Sequence, residues 1–490
     1  MTMLELTPEA REDIQGIILS GYGHLRYALY LFVQIKNPKQ AQAWLNTIIP
    51  EITTGKLWPK RPDGTTEKPE YTLNIAFTHK GLQALNLPQH TLETFSRELI
   101  EGIATSKRSR ILGDTAESAP DQWDVGGANN EEIHMLLILY GLDPESLAQR
   151  RNQLLQDQDD SLVVVAEEPG FRAPSNKEHF GFNDSISQPI IEGTRNNQNP
   201  NQDVVKTGEF ILGYPNQYDF LPATPSVPVD QDSDNILPSF PGTELSEFKD
   251  FGRHGTYLVY RKLAQDVAGF WQYIAQQGHD GEGCPHAPTM SLLAAKLVGR
   301  WPSGTPLVLA PDQDNPEIQD KNQFKYLPED KEGYRCPIGA HIRRSNPRDS
   351  FLDATPEDSF KLSNRHRIIR RGAIYGEPLF PIDDIENGQL PVDIEDDGKP
   401  RGLHFFSINA NIRRQFEFLQ ETWCNNPRFN SLYDNKDPII GDNDGSGHMT
   451  IQRSLIRKRI NNLPRFVTVK GGGYFFMPSI TAMQFMVNCG

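Results

Sequence analysis

Ala28-Leu-Tyr-Leu-Phe-Val-Gln-Ile35 is a short, almost unbroken apolar run with aromatic and β-branched members, which predicts a buried strand. Asn37-Pro38 follows and opens an amphipathic helix over Lys39 to Ile48. Further on, a second strand is predicted near Tyr71 to Phe77, with a helix at Lys80 to Leu85 behind it. A third strand, Ile133 to Tyr140, leads through Asp143-Pro144 into a helix over Glu145 to Gln156, and Leu162 to Ala166 (LVVVA) supplies a fourth.

This βαβ, βαβ order predicts a split antiparallel sheet with helices on one face, a ferredoxin-like unit. The second half opens the same way, with strand Thr256 to Arg261 (TYLVYR) feeding a helix from Leu263 to about Gln277. It closes with strand Gly402 to Ile408, helix Ile412 to Trp423, and a hairpin whose strands, Phe466 to Lys470 and Tyr474 to Met477, flank Gly471-Gly472-Gly473. Between the halves, residues 213–250 turn rich in Pro, Asp and Ser (LPATPSVPVDQDSDNILPSFPG) and read as a long surface connection. The expectation is an α+β chain of two ferredoxin-like domains, 1–212 and 251–490, joined by 213–250, each an antiparallel sheet with flanking helices. The repeat is one of pattern and not of sequence.

A length of 490 residues exceeds what one hydrophobic core usually supports, which fits two domains and a sizeable pocket. Lys and Arg number 49 against 64 Asp and Glu, a formal charge of −15 that repels phosphate backbones and anionic lipid, so neither nucleic acid nor membrane is an expected partner. The opening residues carry acids early and lack a basic segment followed by an apolar run. The longest apolar stretch, Tyr27 to Ile35, is far too short to span a bilayer. The expected location is therefore cytoplasmic. Cys284, Cys336, Cys424 and Cys489 are widely spaced with no Cys-x-x-Cys pair, and read as free thiols in a reducing compartment.

Three segments stand out chemically. In Cys336-Pro-Ile-Gly-Ala-His341-Ile-Arg-Arg-Ser-Asn-Pro-Arg348, small residues precede a histidine and three arginines follow it. Gly339 and Ala340 would let a flat macrocycle approach, and guanidinium groups would neutralise its carboxylates; the alternative is a solvated basic turn. Gly181-Phe-Asn-Asp184-Ser-Ile-Ser-Gln-Pro189 places an acid in a glycine- and proline-bounded turn, where it either caps the turn or serves a site. In His366-Arg-Ile-Ile-Arg370-Arg-Gly-Ala-Ile-Tyr375-Gly376, alternation points Arg370 inward and Arg371 to solvent. A buried arginine there is either half of a structural ion pair or part of an anion-stabilising site.

Together, and in this chain order, the segments resemble the dye-decolorizing peroxidase family, in its larger bacterial and fungal-like members. The family's Gly-x-x-Asp-Gly signature matches Gly181 to Ser185, its proximal-histidine segment matches Ala340 to Arg348, and its Arg-Arg-Gly-x-x-Tyr-Gly stretch matches Arg370 to Gly376. Ile211-Leu-Gly-Tyr214, Gly402-Leu-His-Phe405, Gln415-Phe-Glu-Phe418 and Gly473-Tyr-Phe-Phe-Met-Pro-Ser479 extend the likeness over most of the chain. One position departs: Ser185 replaces the signature's final glycine, which strains the turn if that position needs positive φ.

The resemblance implies one haem b per chain, held mainly by the C-terminal domain. His341 would be the proximal iron ligand, Asp184 and Arg370 the distal pair, and Arg348 a contact to a propionate. Leu403 and Phe405, alternating on one strand, would line the distal face or else pack in the core. The histidine's other N–H needs an acceptor, for which Asn409 is the candidate. It further implies that hydrogen peroxide is reduced while an organic reductant or dye is oxidised, with Tyr375 and Trp423 either relaying electrons for bulky substrates or merely structural. An ordinary aspartate titrates near ~3.9, so a peroxidase using Asp184 as shuttle is expected to turn over faster around pH ~4–5 than at pH ~7. Two other readings stay open on the residues: a haem-binding protein that stores, transfers or strips iron from haem, and a cofactor-free anion-binding αβ module. Oligomeric state is not legible.

Overall fold

The computed structural model describes residues 6–156, 161–194, 204–240, 247–279, 286–318, 322–387, 389–391 and 393–489. The first half runs β1 (Tyr27–Ile35), α1 (Pro38–Ile48), β2 (Tyr71–Phe77), β3 (Met135–Gly141), α2 (Pro144–Leu154) and β4 (Leu162–Phe171). Both helices start where the sequence signals them: Asn37 accepts the Gln40 N–H at 3.2 Å, Asp143 accepts that of Ser146 at 2.7 Å, and proline takes the first helical position. The second half runs β5 (Thr256–Gln265), α3 (Val267–Gln277), α4 (Ala287–Val298), α5 (His341–Ser345), β6 (Ile369–Tyr375), β7 (Gly402–Asn409) and β8 (Val467–Met477).

Each half has the ferredoxin-like plan, with strands ordered β4-β1-β3-β2 and β8-β5-β7-β6, antiparallel throughout. Their free edges then meet. Phe77 pairs with Phe476 and Phe171 with Ile374, so the eight strands close into one barrel that leaves neither sheet an open edge. Closure explains why β1 is apolar with little alternation: Leu29, Leu31 and Val33 pack outward under the helices while Tyr30 and Phe32 fill the barrel interior. Each such fully buried side chain contributes about 1.5–3 kcal/mol relative to exposure.

Three expectations are corrected. Gly471-Gly472-Gly473 is no turn, because β8 runs unbroken through it with a register shift after Val469. A Cβ at Gly471 would lie 2.5 Å from Val125 Cγ1 and one at Gly472 3.0 Å from the Trp123 ring, so the glycines admit the 78–134 insertion onto the strand. Leu263 to Gln265 continue β5, and the helix begins only at Asp266, whose carboxylate caps the Gly269 N–H at 2.8 Å. The expected helix from Ile412 to Trp423 is two widened π-type turns, Arg413–Glu417 and Leu419–Cys424.

Residues 213–250 contain a ribbon of Ser226–Pro228 against Phe248–Asp250, tied to the first half by the Ser226 N–H on Thr94 Oγ1 at 3.0 Å. Cys336, Cys424 and Cys489 are buried free thiols, and Cys284 lies outside the described residues. No helix among the described residues is long and apolar enough to cross a membrane.

Candidate active site

Residues 299–318 and 322–368, between α4 and β6, lie over the second sheet and leave a cavity of about 320 Å³ against it. His341 enters it from the first turn of α5. Its Nδ1 lies 2.9 Å from Asp437 Oδ2. Asp437 is fully buried, and its other oxygen accepts the N–H groups of Ile439 at 2.8 Å and Ile440 at 3.0 Å. Burial opposes its ionisation, but the His341 imidazole, the Ile440 N–H and Arg344 outweigh this and hold the carboxyl below its ordinary value. A carboxylate only accepts, so Nδ1 carries the proton and Nε2 keeps its lone pair for the cavity. Asn409, the sequence candidate for this acceptor, instead hydrogen-bonds Ser407 from within the strand.

Of the three arginines after His341, only Arg348 lines the cavity. Arg343 is buried on Asp330 at 3.0 Å, its guanidinium 4.3 Å from the Tyr326 ring centre, and Arg344 donates to the carbonyls of Trp423, Asn426 and Asn435. Both are internal clamps for the segment. Arg348, at φ +54°, bonds the carbonyls of Asn322 at 2.7 Å and Phe324 at 3.0 Å and stacks on the Phe324 ring at 4.0 Å. Arg300 lies beside it, and burial, with Arg348 and Arg370 near, pushes it down to about 10. The buried amide nitrogen of Asn346, which also lines the cavity, has no hydrogen-bond partner among the described residues. This group of cations and a donor calls for an anionic ligand.

The same cavity carries Asp184 and Arg370, with Arg370 Nη1 3.4 Å from Asp184 Oδ1. Gln188 fixes the arginine's backbone from both sides, accepting its N–H at 3.0 Å and donating to its carbonyl at 3.1 Å. Ser185 sits at φ +64°, so the conformation that glycine would adopt freely is kept with a side chain present. Leu403 and Phe405 lie on this cavity too. Arg371 does not face solvent as alternation suggested: its guanidinium bonds the carbonyls of Ile17 at 2.8 Å and Ile18 at 3.2 Å, and burial pushes it down to about 10. Near Asp184, the buried Glu178 accepts the N–H groups of Phe180 and Phe182, both at 2.9 Å, and burial pushes its carboxyl up to about 7.

A family model described as the DyP dimeric α+β barrel domain matches residues 13–173. A dye-decolorizing peroxidase of Mycena epipterygia is 30% identical, the match covering 96% of this chain and 86% of that protein. The chain belongs to the dye-decolorizing peroxidase family. A multifunctional dye peroxidase of an Amycolatopsis species is 32% identical over 75% of this chain and 74% of its own. Among solved structures, the fungal DyP-type peroxidase of Auricularia auricula-judae superposes with a TM-score of 0.76 at 26% identity, covering 97% of this chain and 98% of that one. A dye-decolorizing peroxidase in complex with 2,6-dimethoxyphenol gives 0.75 at 25% identity, covering 97% and 99%.

Dye-decolorizing peroxidases are haem enzymes, and the donor set fits that group. A neutral imidazole backed by a carboxylate is a suitable iron ligand, the arginines and the orphaned Asn346 amide suit its carboxylates, and the same cavity carries the polar pair of Asp184 and Arg370. Tyr375 is buried with its ring 4.8 Å from that of His404, and Trp423 is buried against Phe351, Phe418 and His366. Sequence reasoning missed Asp437, Arg300, Asn346 and Glu178. Asp437 lies 96 positions from His341 in an Asn-Lys-Asp-Pro turn that looks like any other, and only the fold joins them.

Proposed function

We propose that this dye-decolorizing peroxidase would hold one haem b per chain through His341 Nε2, and reduces hydrogen peroxide beside Asp184 and Arg370 while oxidising organic reductants, including dyes and phenolics. One observation carries the reading: a carboxylate-backed imidazole and a carboxylate–guanidinium pair line the same cavity. When bound, haem would supply the electron-transfer chemistry for reducing peroxide at the expense of an organic reductant. Asp184 takes the proton from the inner peroxide oxygen and delivers it to the outer one, which leaves as water. Arg370 stabilises the negative charge that develops as the O–O bond separates; with a pKa above about 12 in water it is no base.

Leu403 and Phe405 keep part of that cavity apolar, and Arg348, with Arg300 beside it, holds a propionate. Substrates too large for the cavity are oxidised through Tyr375 or Trp423, and because both rings are buried the electron deficit must leave them through neighbours. Buried free thiols at Cys336, Cys424 and Cys489 suit a reducing compartment.

The test is the visible spectrum of the purified, haem-supplied protein before and after one equivalent of peroxide. A Soret band that shifts and then returns when a dye is added supports the reading. A band that only bleaches favours haem storage or iron release instead, and a protein that takes up no haem overturns both.

A further inference from the structure

The barrel interior is unusually polar for packing alone. Tyr30, Tyr140, Tyr260 and His404 occupy it, with Tyr22 beside them, although phenylalanine would fill the same space without burying a hydroxyl. His404 lies on β7 between Leu403 and Phe405 and, like them, belongs to the cavity lining, while its ring meets those of Tyr30 and Tyr260 in the barrel.

The hydrogen bonds at His404 fix its proton. Nε2 lies 3.2 Å from the Pro169 carbonyl, which only accepts, so Nε2 carries hydrogen and Nδ1 is bare. Tyr260 therefore donates its phenol proton to Nδ1, at 3.0 Å. Glu168 stands 3.8 Å from Nε2, positioned to stabilise an imidazolium. Burial, with Lys262 near, pushes His404 down to about 3, which keeps the ring a neutral acceptor at rest. An oxidised phenol is a far stronger acid than imidazolium, so loss of an electron from Tyr260 drives its proton onto Nδ1. Tyr375 also touches His404, its ring 4.8 Å away, but no hydrogen bond joins its hydroxyl to the imidazole among the described residues.

From this pair the aromatic rings run on without a gap. Phe406 lies 5.1 Å from Tyr260 and 4.9 Å from Tyr30, and Tyr30 lies 5.1 Å from His404. Tyr30 is 6.2 Å from Tyr140, Tyr140 is 5.8 Å from Tyr22, and Tyr22 is stacked 6.5 Å from Trp58. Trp58 is half-exposed. Among the described residues Tyr140 and Tyr22 show no basic acceptor for their protons, Tyr22 donating to the Asn74 amide oxygen and Tyr140 pairing with the Tyr30 hydroxyl, so these rings bridge; an indole carries a positive charge without losing a proton.

We propose that this file of rings drains oxidising equivalents when the cavity holds no reducing substrate. Tyr260 yields one electron to the peroxide-oxidised cofactor and its proton to His404 Nδ1. The electron deficit passes by way of Tyr30, Tyr140 and Tyr22 to Trp58, where an external one-electron reductant such as ascorbate refills it. The proton returns to Tyr260 as its electron is restored. Two such events discharge the two equivalents that one peroxide supplies. The inference rests on the haem reading above.

The test treats the haem-loaded full-length protein with hydrogen peroxide in the absence of substrate, using a nitroso spin trap and peptide mapping by mass spectrometry, with Soret bleaching followed in parallel. Tyr260→Phe keeps the packed ring and removes only the hydroxyl, and Trp58→Phe removes the exit. The expected result is a trap adduct on Trp58 that falls several-fold in Tyr260→Phe, with the Soret band bleaching several-fold faster in both variants. Adducts on Trp58 undiminished by Tyr260→Phe, or bleaching equal in all three proteins, overturn this proposal alone when peroxide still shifts the Soret band. A chain that takes up no haem overturns it together with the proposed function.

Discussion

Asp437 Oδ2 lies 2.9 Å from Nδ1 of His341, and no other contact in the cavity wall bears more directly on what His341 Nε2 can bind. The carboxylate fixes the tautomer and orients the ring, and its negative charge favours the ferric over the ferrous state of an iron bound opposite. Asp437→Asn should raise the Fe(III)/Fe(II) potential and weaken haem affinity by roughly 10–100-fold. Haem titration with spectroelectrochemistry checks both, and an unchanged potential would remove Asp437 from the role.

The distal pair predicts a separation of binding from turnover. Asp184→Asn and Arg370→Leu should each retain the Soret band while peroxide turnover falls by about 10²–10⁴-fold, the range of a lost general acid–base or charge-stabilising group. Stopped-flow mixing with peroxide measures this directly. A variant that loses its haem as well would show the residue holding the pocket and not the proton.

At Ser185 the backbone bends as glycine would, at φ +64°. A side chain in the left-handed region costs on the order of 1 kcal/mol, so Ser185→Gly should raise unfolding free energy by up to about that amount. Urea denaturation of the two proteins under one set of conditions is sufficient. Equal midpoints would mean that the hydroxyl makes compensating contacts in solution.

Glu178 gives stability a pH dependence. Its folded carboxyl is raised to about 7, whereas an unfolded glutamic acid ionises near ~4.3. Between these values the native state holds a proton that the unfolded chain releases, so this residue's contribution is complete below about pH 4.3 and is lost as pH rises through about 7. The loss is up to about 4 kcal/mol. Whatever its absolute stability, Glu178→Gln should show a flatter decline over that window, and parallel curves would place the titration elsewhere.

How far the sequence carries depends on the range of the interaction. The paired strand–helix plan was legible because apolar runs and Asn-Pro or Asp-Pro caps are local, and β1 to β4 lie within a few residues of where periodicity puts them. Barrel closure was not, since the Phe77–Phe476 and Phe171–Ile374 pairings are seams between strands far apart in the chain. Gly471 to Gly473 misled because small residues signal a turn and a close approach alike, and only the Val125 contact distinguishes them. The same limit governed the cavity. His341, Asp184, Arg370 and Arg348 sit in motifs that can be read, while Asp437 and Arg300 act through space from ordinary surroundings. Arg371 looked solvent-facing because alternation describes one sheet, and here the amino-terminal turn Ile17–Ile18 covers the sheet's other side.

Translation delivers the cavity's parts in an order that bears on when it can be filled. His341 leaves the ribosome 96 residues before Asp437, an interval of about 5–20 s at ordinary elongation rates. The strand that seals the barrel, Val467–Met477, is made after the other seven barrel strands, and β5 has no partner on that side until it arrives. A nascent chain thus presents a lone imidazole long before it presents a finished receptacle. Until that strand is added one seam of the barrel stays open, and the growing chain passes through an interval as an unsealed vessel.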